Sequence, residues 1–203
     1  MQRVLEKRER SLGTKLSIKG DRCNSPKCAL TRKPYAPGAH GKRFKKLKEY
    51  GSQMREKQKI RFIYGLRDNQ LRNVFREAAS EGKSGAVGVL SLLERRVDNF
   101  VYRAGFAPSR SVSRHLVTHG HFTVNGRRVS TPSLILRQGD LVRVRPESAT
   151  NKYFSGLTEK IKGYEAPEWI KLNLNNLEAE VSGEPRDVDL PVDVGAVVDY
   201  YSK

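Results

Sequence analysis

The stretch SRSVSRHLVTHGHFTVNGRRV, from Ser109 to Val129, decides how this chain folds, because it joins a capped basic helix, a chain reversal and an arginine-loaded hairpin. Ser109 follows Pro108 and is placed to accept a hydrogen bond from a free amide at a helix start, and Gly120 tolerates the left-handed conformation that ends a helix. The helix is therefore predicted from about Arg110 to His119. Val112, Leu116 and Val117 point toward a core, while Arg110 and Arg114 stand four apart on another face. Asn125-Gly126 has the chemistry of a two-residue hairpin turn between HFTV and RRV. Every ionisable side chain in the stretch is Arg or His, so the unit presents cations to a polyanion.

The charge distribution extends that reading. The net charge is +17 on 203 residues, which favours nucleic acid or an anionic surface as partner. Residues 1 to 61 hold 19 Lys or Arg against 5 Asp or Glu, and residues 94 to 146 hold 10 against 3. All the cations of the middle block are Arg, a bias suited to planar, bidentate contacts with phosphate. Residues 165 to 203 reverse the sign, with 3 cations against 9 acids, so this tail is expected to face something other than RNA. Two cysteines and no apolar leader point to a reducing, cytosolic setting, and the longest apolar run, VGVLSLL, is too short to span a bilayer.

Outward from the central stretch, residues 1 to 44 read as an irregular basic arm, because PYAPGAHG (Pro34 to Gly41) lacks amide donors at its prolines and has little apolar periodicity. A helix is predicted from about Lys46 to Arg61 with Leu47, Tyr50 and Met54 along its apolar side, and another from Asp68 to Ser80 with the stripe Leu71, Val74, Phe75 and Ala78. Glu81 to Ser84 closes that pair. The spacing of Val89, Leu92, Leu93, Val97, Phe100 and Val101 predicts a continuous helix from Ala86 to Arg103. After the hairpin, LILRQGDLVRVR turns at Gly139-Asp140 into a strand, and a short helix is expected from Tyr153 to Lys162. Trp169 to Leu172, Ala179 to Val181 and Val197 to Tyr201 read as strands or extended segments.

LLERRVDNFVYRAGFAPSRSVSRHLVTHGHFTVNG followed by QGDLVRV resembles the RNA-binding module named after ribosomal protein S-four, a module also found in some tRNA synthetases, pseudouridine synthases and heat-shock proteins. The flanking KPYAPGAHG, KEYGSQMREKQKIRFIYG, LRNVFREAA, EWIKLN and DYYSK are similar to the bacterial-type S-four family of small-subunit ribosomal proteins. The resemblance implies an α+β fold: a helical domain over 45–90 completed by 163–203, with the S-four-type module of two helices and a small antiparallel sheet inserted at 94–157. It implies direct binding to small-subunit ribosomal RNA at a multi-helix junction, nucleation of the subunit body, a place beside the channel by which messenger RNA enters, and contact with ribosomal protein S-five that bears on decoding accuracy. No membrane contact or homo-oligomer is expected. The setting is the small ribosomal subunit, in a bacterial cytoplasm or an organelle.

Carried onto this sequence, the resemblance places RNA contacts at Arg95, Arg96, Arg103, Arg110, Ser113, Arg114, His115, His119, His121, Asn125, Arg127 and Arg128 in the module. In the other domain it places them at Lys42, Arg43, Lys45, Tyr50, Arg55, Lys57, Lys59 and Arg61. Cations neutralise phosphates, Asn and Ser reach phosphate, 2′-hydroxyl or base edge, and Tyr or His stack on exposed bases. The acidic, aromatic-bearing tail is expected to meet a protein through Trp169, Tyr200 and Tyr201.

No cofactor is expected. Some relatives carry four N-terminal cysteines around zinc, but here Glu6 and Glu9 stand where the first pair would be, and CNSPKC supplies only Cys23 and Cys28 of the four ligands a structural site needs. Glu6, Glu9 or His40 are the available substitutes, and carboxylates are uncommon in such sites. His115 and His119 have metal-ligand spacing, yet Leu116 stands where a zinc hydrolase has Glu, and Arg114 would repel a cation. Gly82-Lys83-Ser84 resembles the end of a phosphate loop, but the required earlier Gly is Glu77. Asp98 lies within an amphipathic helix rather than in the Asp loop of a pseudouridine synthase. A helix-turn-helix regulator is disfavoured by the hairpin directly after the second helix. The expectation is a non-catalytic RNA-binding protein, the alternative being a free-standing RNA-modifying or rescue factor with the same module.

Overall fold

The computed structural model describes residues 6–43, 47–83, 85–161, 163–186 and 188–202; Lys45, and Ser84 of the predicted turn, lie outside them. The chain is α+β and divides into two compact units, one comprising residues up to Val89 and from Val188, the other Leu90–Asp187.

The N-terminal segment departs from the irregular arm expected. It forms the short helices α1 (Lys7–Leu12), α2 (Asp21–Asn24) and α3 (Ala29–Arg32), with Leu12, Leu16, Cys23 and Cys28 buried beneath them. What organises it is one carboxylate: Glu9 is fully buried and its Oε1 accepts the Leu16 and Ile18 amides at 3.0 and 3.3 Å. Helix α4 (Glu49–Ile63) inverts the predicted face. Gln53, Lys57, Ile60 and Ile63 are buried, whereas Leu47, Tyr50 and Met54 are exposed. Helix α5 (Asp68–Ser80) buries the predicted Leu71, Val74, Phe75 and Ala78.

The long helix predicted over Ala86–Arg103 is two. Helix α6 (Ala86–Glu94) ends, Arg96 turns extended (ψ 137), and α7 (Val97–Arg103) begins. The break lets the chain pair elsewhere: Val97 N–H donates to the Leu134 carbonyl and Leu136 N–H to that of Arg95, bridging Arg96 to Ile135. Helix α8 (Arg110–Thr118) starts where predicted, with Ser109 Oγ accepting the Val112 amide.

The hairpin β1 (Phe122–Val124) and β2 (Arg127–Val129) turns on Asn125 and Gly126, whose φ of 49° and 79° give the doubly left-handed turn that matches strand twist. Strand β3 (Leu141–Val144) follows, then the short helices α9 (Pro146–Ala149), α10 (Lys152–Ser155) and α11 (Leu157–Ile161), the last two parted at Gly156 where one helix was expected. The tail strands β4 (Ile170–Asn173) and β5 (Glu178–Val181) join this same sheet, in the antiparallel order β2-β1-β3-β5-β4. Residues 163–187 therefore complete the module rather than the helical domain, because Val142 opposite Ala179 lets β5 cover an edge of β3 that would otherwise leave unpaired amides. The sheet and α7–α8 enclose Phe100, Phe106, Phe122, Leu136, Phe154 and Val181.

Only the segment after Val188 returns to the first unit. Val197 to Tyr201, read as extended, lie in helix α12 (Val194–Ser202), which Asp193 caps by accepting the Ala196 amide at 3.0 Å. Asp193 N–H donates to Glu56 of α4, Tyr200 lies 5.7 Å from the Tyr50 ring, and Tyr201 packs at 4.5 Å on Phe75.

Candidate RNA-binding face

Two buried acids organise the arginines of the module. Glu94 is 0% exposed and accepts Asn99 Nδ2 at 2.6 Å, Arg103 Nε at 2.8 Å and Arg103 Nη2 at 3.0 Å, with Arg110 Nη2 at 3.7 Å. Asp98 accepts both edge nitrogens of Arg96, at 3.1 and 3.0 Å, and both of Arg114, at 2.9 and 2.5 Å. Arg110 Nε donates to Asn99 Oδ1, which closes the cluster around Glu94, and its guanidinium lies over the Tyr102 ring. Buried arginine–carboxylate pairs of this kind fix side-chain direction more than they add stability.

The network changes the standing of several predicted contacts. Arg96 is buried on Asp98 and serves the fold, not an RNA surface. Ser113 is also buried and donates its hydroxyl to the Asp98 carbonyl, so it is no RNA contact. Asn125 spends its amide inside the turn, donating to Asp140 Oδ1 and accepting the Leu141 amide. Arg103, Arg110 and Arg114 keep partial exposure. Arg95 is half-buried, and its Nε has no acceptor among the described residues.

A second cluster gathers at the end of α8. His115 and His119 stack with their planes 7° apart, and His119 and His121 lie 6.3 Å apart. Arg128 Nη2 donates to the His119 carbonyl and Arg145 Nη1 to that of Gly120, setting two cations against a helix C-terminus. Burial, followed by His119, Arg145 and Arg128, lowers the pKa of His121, which therefore presents a neutral ring at neutral pH, its Nδ1 3.0 Å from Ser148 Oγ. Arg127 and Arg128 are exposed on the edge strand β2. Arg128 on β2 and Arg143 on β3 stand in register on either side of Thr123; the sequence reading missed Arg143 along with Arg145, and the alternation of LVRVR held the signal for both. Gly120 has φ 72° and its missing Cβ would meet the Arg128 guanidinium. Gly120→Ala is expected to destabilise the unit by about 1–2 kcal/mol, measured as a shifted urea midpoint.

The acidic tail turns part of its charge inward. Glu178 accepts Arg143, Asn173 and Asn176, and these bonds, Arg143 first, lower its pKa. Trp169, expected at a protein interface, is only 7% exposed and packs edge-on at 5.7 Å against Phe100. Tyr200 and Tyr201 are half-buried, and burial pushes Tyr201 up to about 12.

In the other unit, Lys42, Arg43, Tyr50 and Arg55 are exposed and Lys59 is half-buried on Glu56. Lys57 is 6% exposed, paired with Asp68 at 3.4 Å and set over the Tyr200 ring, which makes it a packing residue. Cys23 and Cys28 are free thiols, the first raised in pKa by burial and the second lowered by the Thr31 amide. Glu6 pairs with Lys19 and Arg22, His40 is exposed, and among the described residues no group of three His, Cys, Asp or Glu is placed to hold a metal.

The family pattern described as Ribosomal protein S4/S9 N-terminal domain matches residues 4–94, and the S4 domain matches residues 95–142. The small ribosomal subunit protein uS4 of Clostridioides difficile (strain 630) is 46% identical over 194 residues, spanning 94% of this chain and 93% of that one. The chain belongs to the uS4 family. The uS4 of Gloeobacter violaceus is 46% identical over 197 residues, covering 96% of this chain and 94% of its own, and that of Caldicellulosiruptor bescii is 45% identical over 193. As a uS4 protein the chain is a component of the small ribosomal subunit and not an enzyme. No helix among the described residues is long and apolar enough to cross a membrane.

Proposed function

We propose that this uS4 protein binds small-subunit ribosomal RNA directly at a multi-helix junction, nucleates the subunit body and, beside a neighbour of the S-five type near the channel by which messenger RNA enters, supports translational accuracy. The observation that carries this reading is the face on which Arg103, Arg110 and Arg114 are oriented by buried acids, while His115, His119, Arg127 and Arg128 stand exposed nearby in sequence and sheet register. Fixed guanidiniums favour folded RNA of one shape over a generic polyanion, and exposed imidazoles offer flat surfaces to unstacked bases. Trp169 takes no part in the proposed protein contact; the exposed acids of the tail, such as Glu165 and Glu168, suit it better.

The test is binding of purified protein to a small-subunit junction RNA across a salt series. Arg127→Ala with Arg128→Ala is expected to reduce the slope of log K against log salt by about one per lost phosphate contact. Equal affinity for an unrelated duplex of the same length would overturn the reading.

A further inference from the structure

Arg8 was in no predicted contact set, yet its surroundings are unusual. Its guanidinium carbon lies 4.7 Å from the centroid of the Phe62 ring, and that of Arg61 lies 5.0 Å from the same centroid. One ring thus holds two cations within about a Debye length, on the order of 10 Å, of each other. Both are half-buried, Arg8 from α1 and Arg61 from α4. Arg8 is lowered in pKa by burial and then by the charge of Arg61. Its other neighbours relieve the repulsion only in part. Asp68 reaches Arg61 Nη1 at 3.5 Å but is shared with Lys57 at 3.4 Å and is itself half exposed, and among the described residues no carboxylate pairs with Arg8. Arg61 Nε is buried without a hydrogen-bond partner among the described residues. A buried N–H left unmade is unfavourable and calls for an acceptor.

We propose that Arg8 and Arg61, held on the Phe62 ring, form a phosphate site that takes a backbone phosphodiester of the RNA. A phosphate oxygen would relieve the like-charge pair and supply an acceptor for guanidinium N–H groups, and the planar fork of arginine suits it. The site deepens the RNA-binding reading above and rests on it. It also implies that Arg8 serves the ligand at the expense of the free protein.

The experiment compares Arg8→Gln and Arg61→Gln with wild type in two measurements. Melting of the free protein in chloride is expected to be unchanged or raised by Arg8→Gln, because repulsion is removed. Binding to the junction RNA is expected to weaken, with the salt slope reduced by about one for either variant. A lowered melting temperature for Arg8→Gln would make Arg8 a structural residue and overturn the proposal, as would an unchanged salt slope in both variants. Melting in inorganic phosphate at matched ionic strength forms the second arm: a wild-type gain lost in Arg8→Gln, with RNA binding intact, would assign the site to free phosphate instead. If Arg127→Ala with Arg128→Ala lowers the slope while Arg8→Gln does not, only this site fails; if wild type does not distinguish the junction RNA from a duplex, the broader reading fails.

Discussion

Glu94→Ala is expected to lower the stability of the unit Leu90–Asp187 by about 3 kcal/mol, the low end of the range for breaking a buried ion pair. Glu94 is fully buried and receives hydrogen bonds from Asn99 and Arg103, with Arg110 close by. Removing its carboxylate leaves those donors facing a cavity. The cost stays at the low end because the Arg103 and Arg110 side chains are 24% and 16% exposed and can turn toward water. Urea unfolding followed by tryptophan fluorescence reads this unit selectively, since the chain's single tryptophan is Trp169. RNA binding by the folded variant should fall as well, although a negative charge has been removed from a cationic face. Simple electrostatics predicts the opposite sign, so tighter binding by Glu94→Ala would sink the positioning role assigned to this acid.

Trp169→Ala is expected to be the costliest single change in the tail, about 3–5 kcal/mol, as for other large-to-small substitutions of buried aromatics. The indole packs against Phe100 within the core that also holds Ile170 and Val181. Circular dichroism melting measures the effect without relying on the lost fluorophore. A residue reserved for docking a partner would leave the melting temperature where it was and weaken only the protein contact; that outcome would return Trp169 to the interface.

The sequence spoke clearly where the determinants are local. Helix α5 buries the four residues that its spacing marked, Ser109 caps α8, and Asn125-Gly126 turns the hairpin. It misled where distant chain decides. Leu47, Tyr50 and Met54 look like an apolar face, but α12 packs along the adjoining side, its Tyr200 against Tyr50 and Lys57, so Gln53 and the stem of Lys57 go inside instead. The apolar spacing through Ala86–Arg103 is real, yet pairing with Leu134–Leu136 splits it at Arg95 and Arg96. The tail strands alternate weakly by themselves, and their place beside β3 shows only in the ladder.

The same logic governs the contact face. Arg103, Arg110 and Arg114 were recognisable as a group, but not as a group already held by acids. One signal for that was present: Glu94 falls on the apolar stripe of Leu93 and Val97, where a carboxylate survives only with partners. The histidines at the end of α8 were found together, whereas Arg145 escaped because it lies beyond the hairpin and returns through β3.

The hydrogen bond from Asp193 to Glu56 spans 137 positions of chain, and the whole of the second unit lies between its two ends. A bond of that separation must close a very long loop, which slows folding. Folding the intervening unit first converts most of that loop into a compact body and leaves far less freedom to lose. Refolding should therefore be sequential, with tryptophan fluorescence recovered before α12 docks onto α4. Lesions in the inserted unit will delay maturation of a helical body whose own residues they never touch.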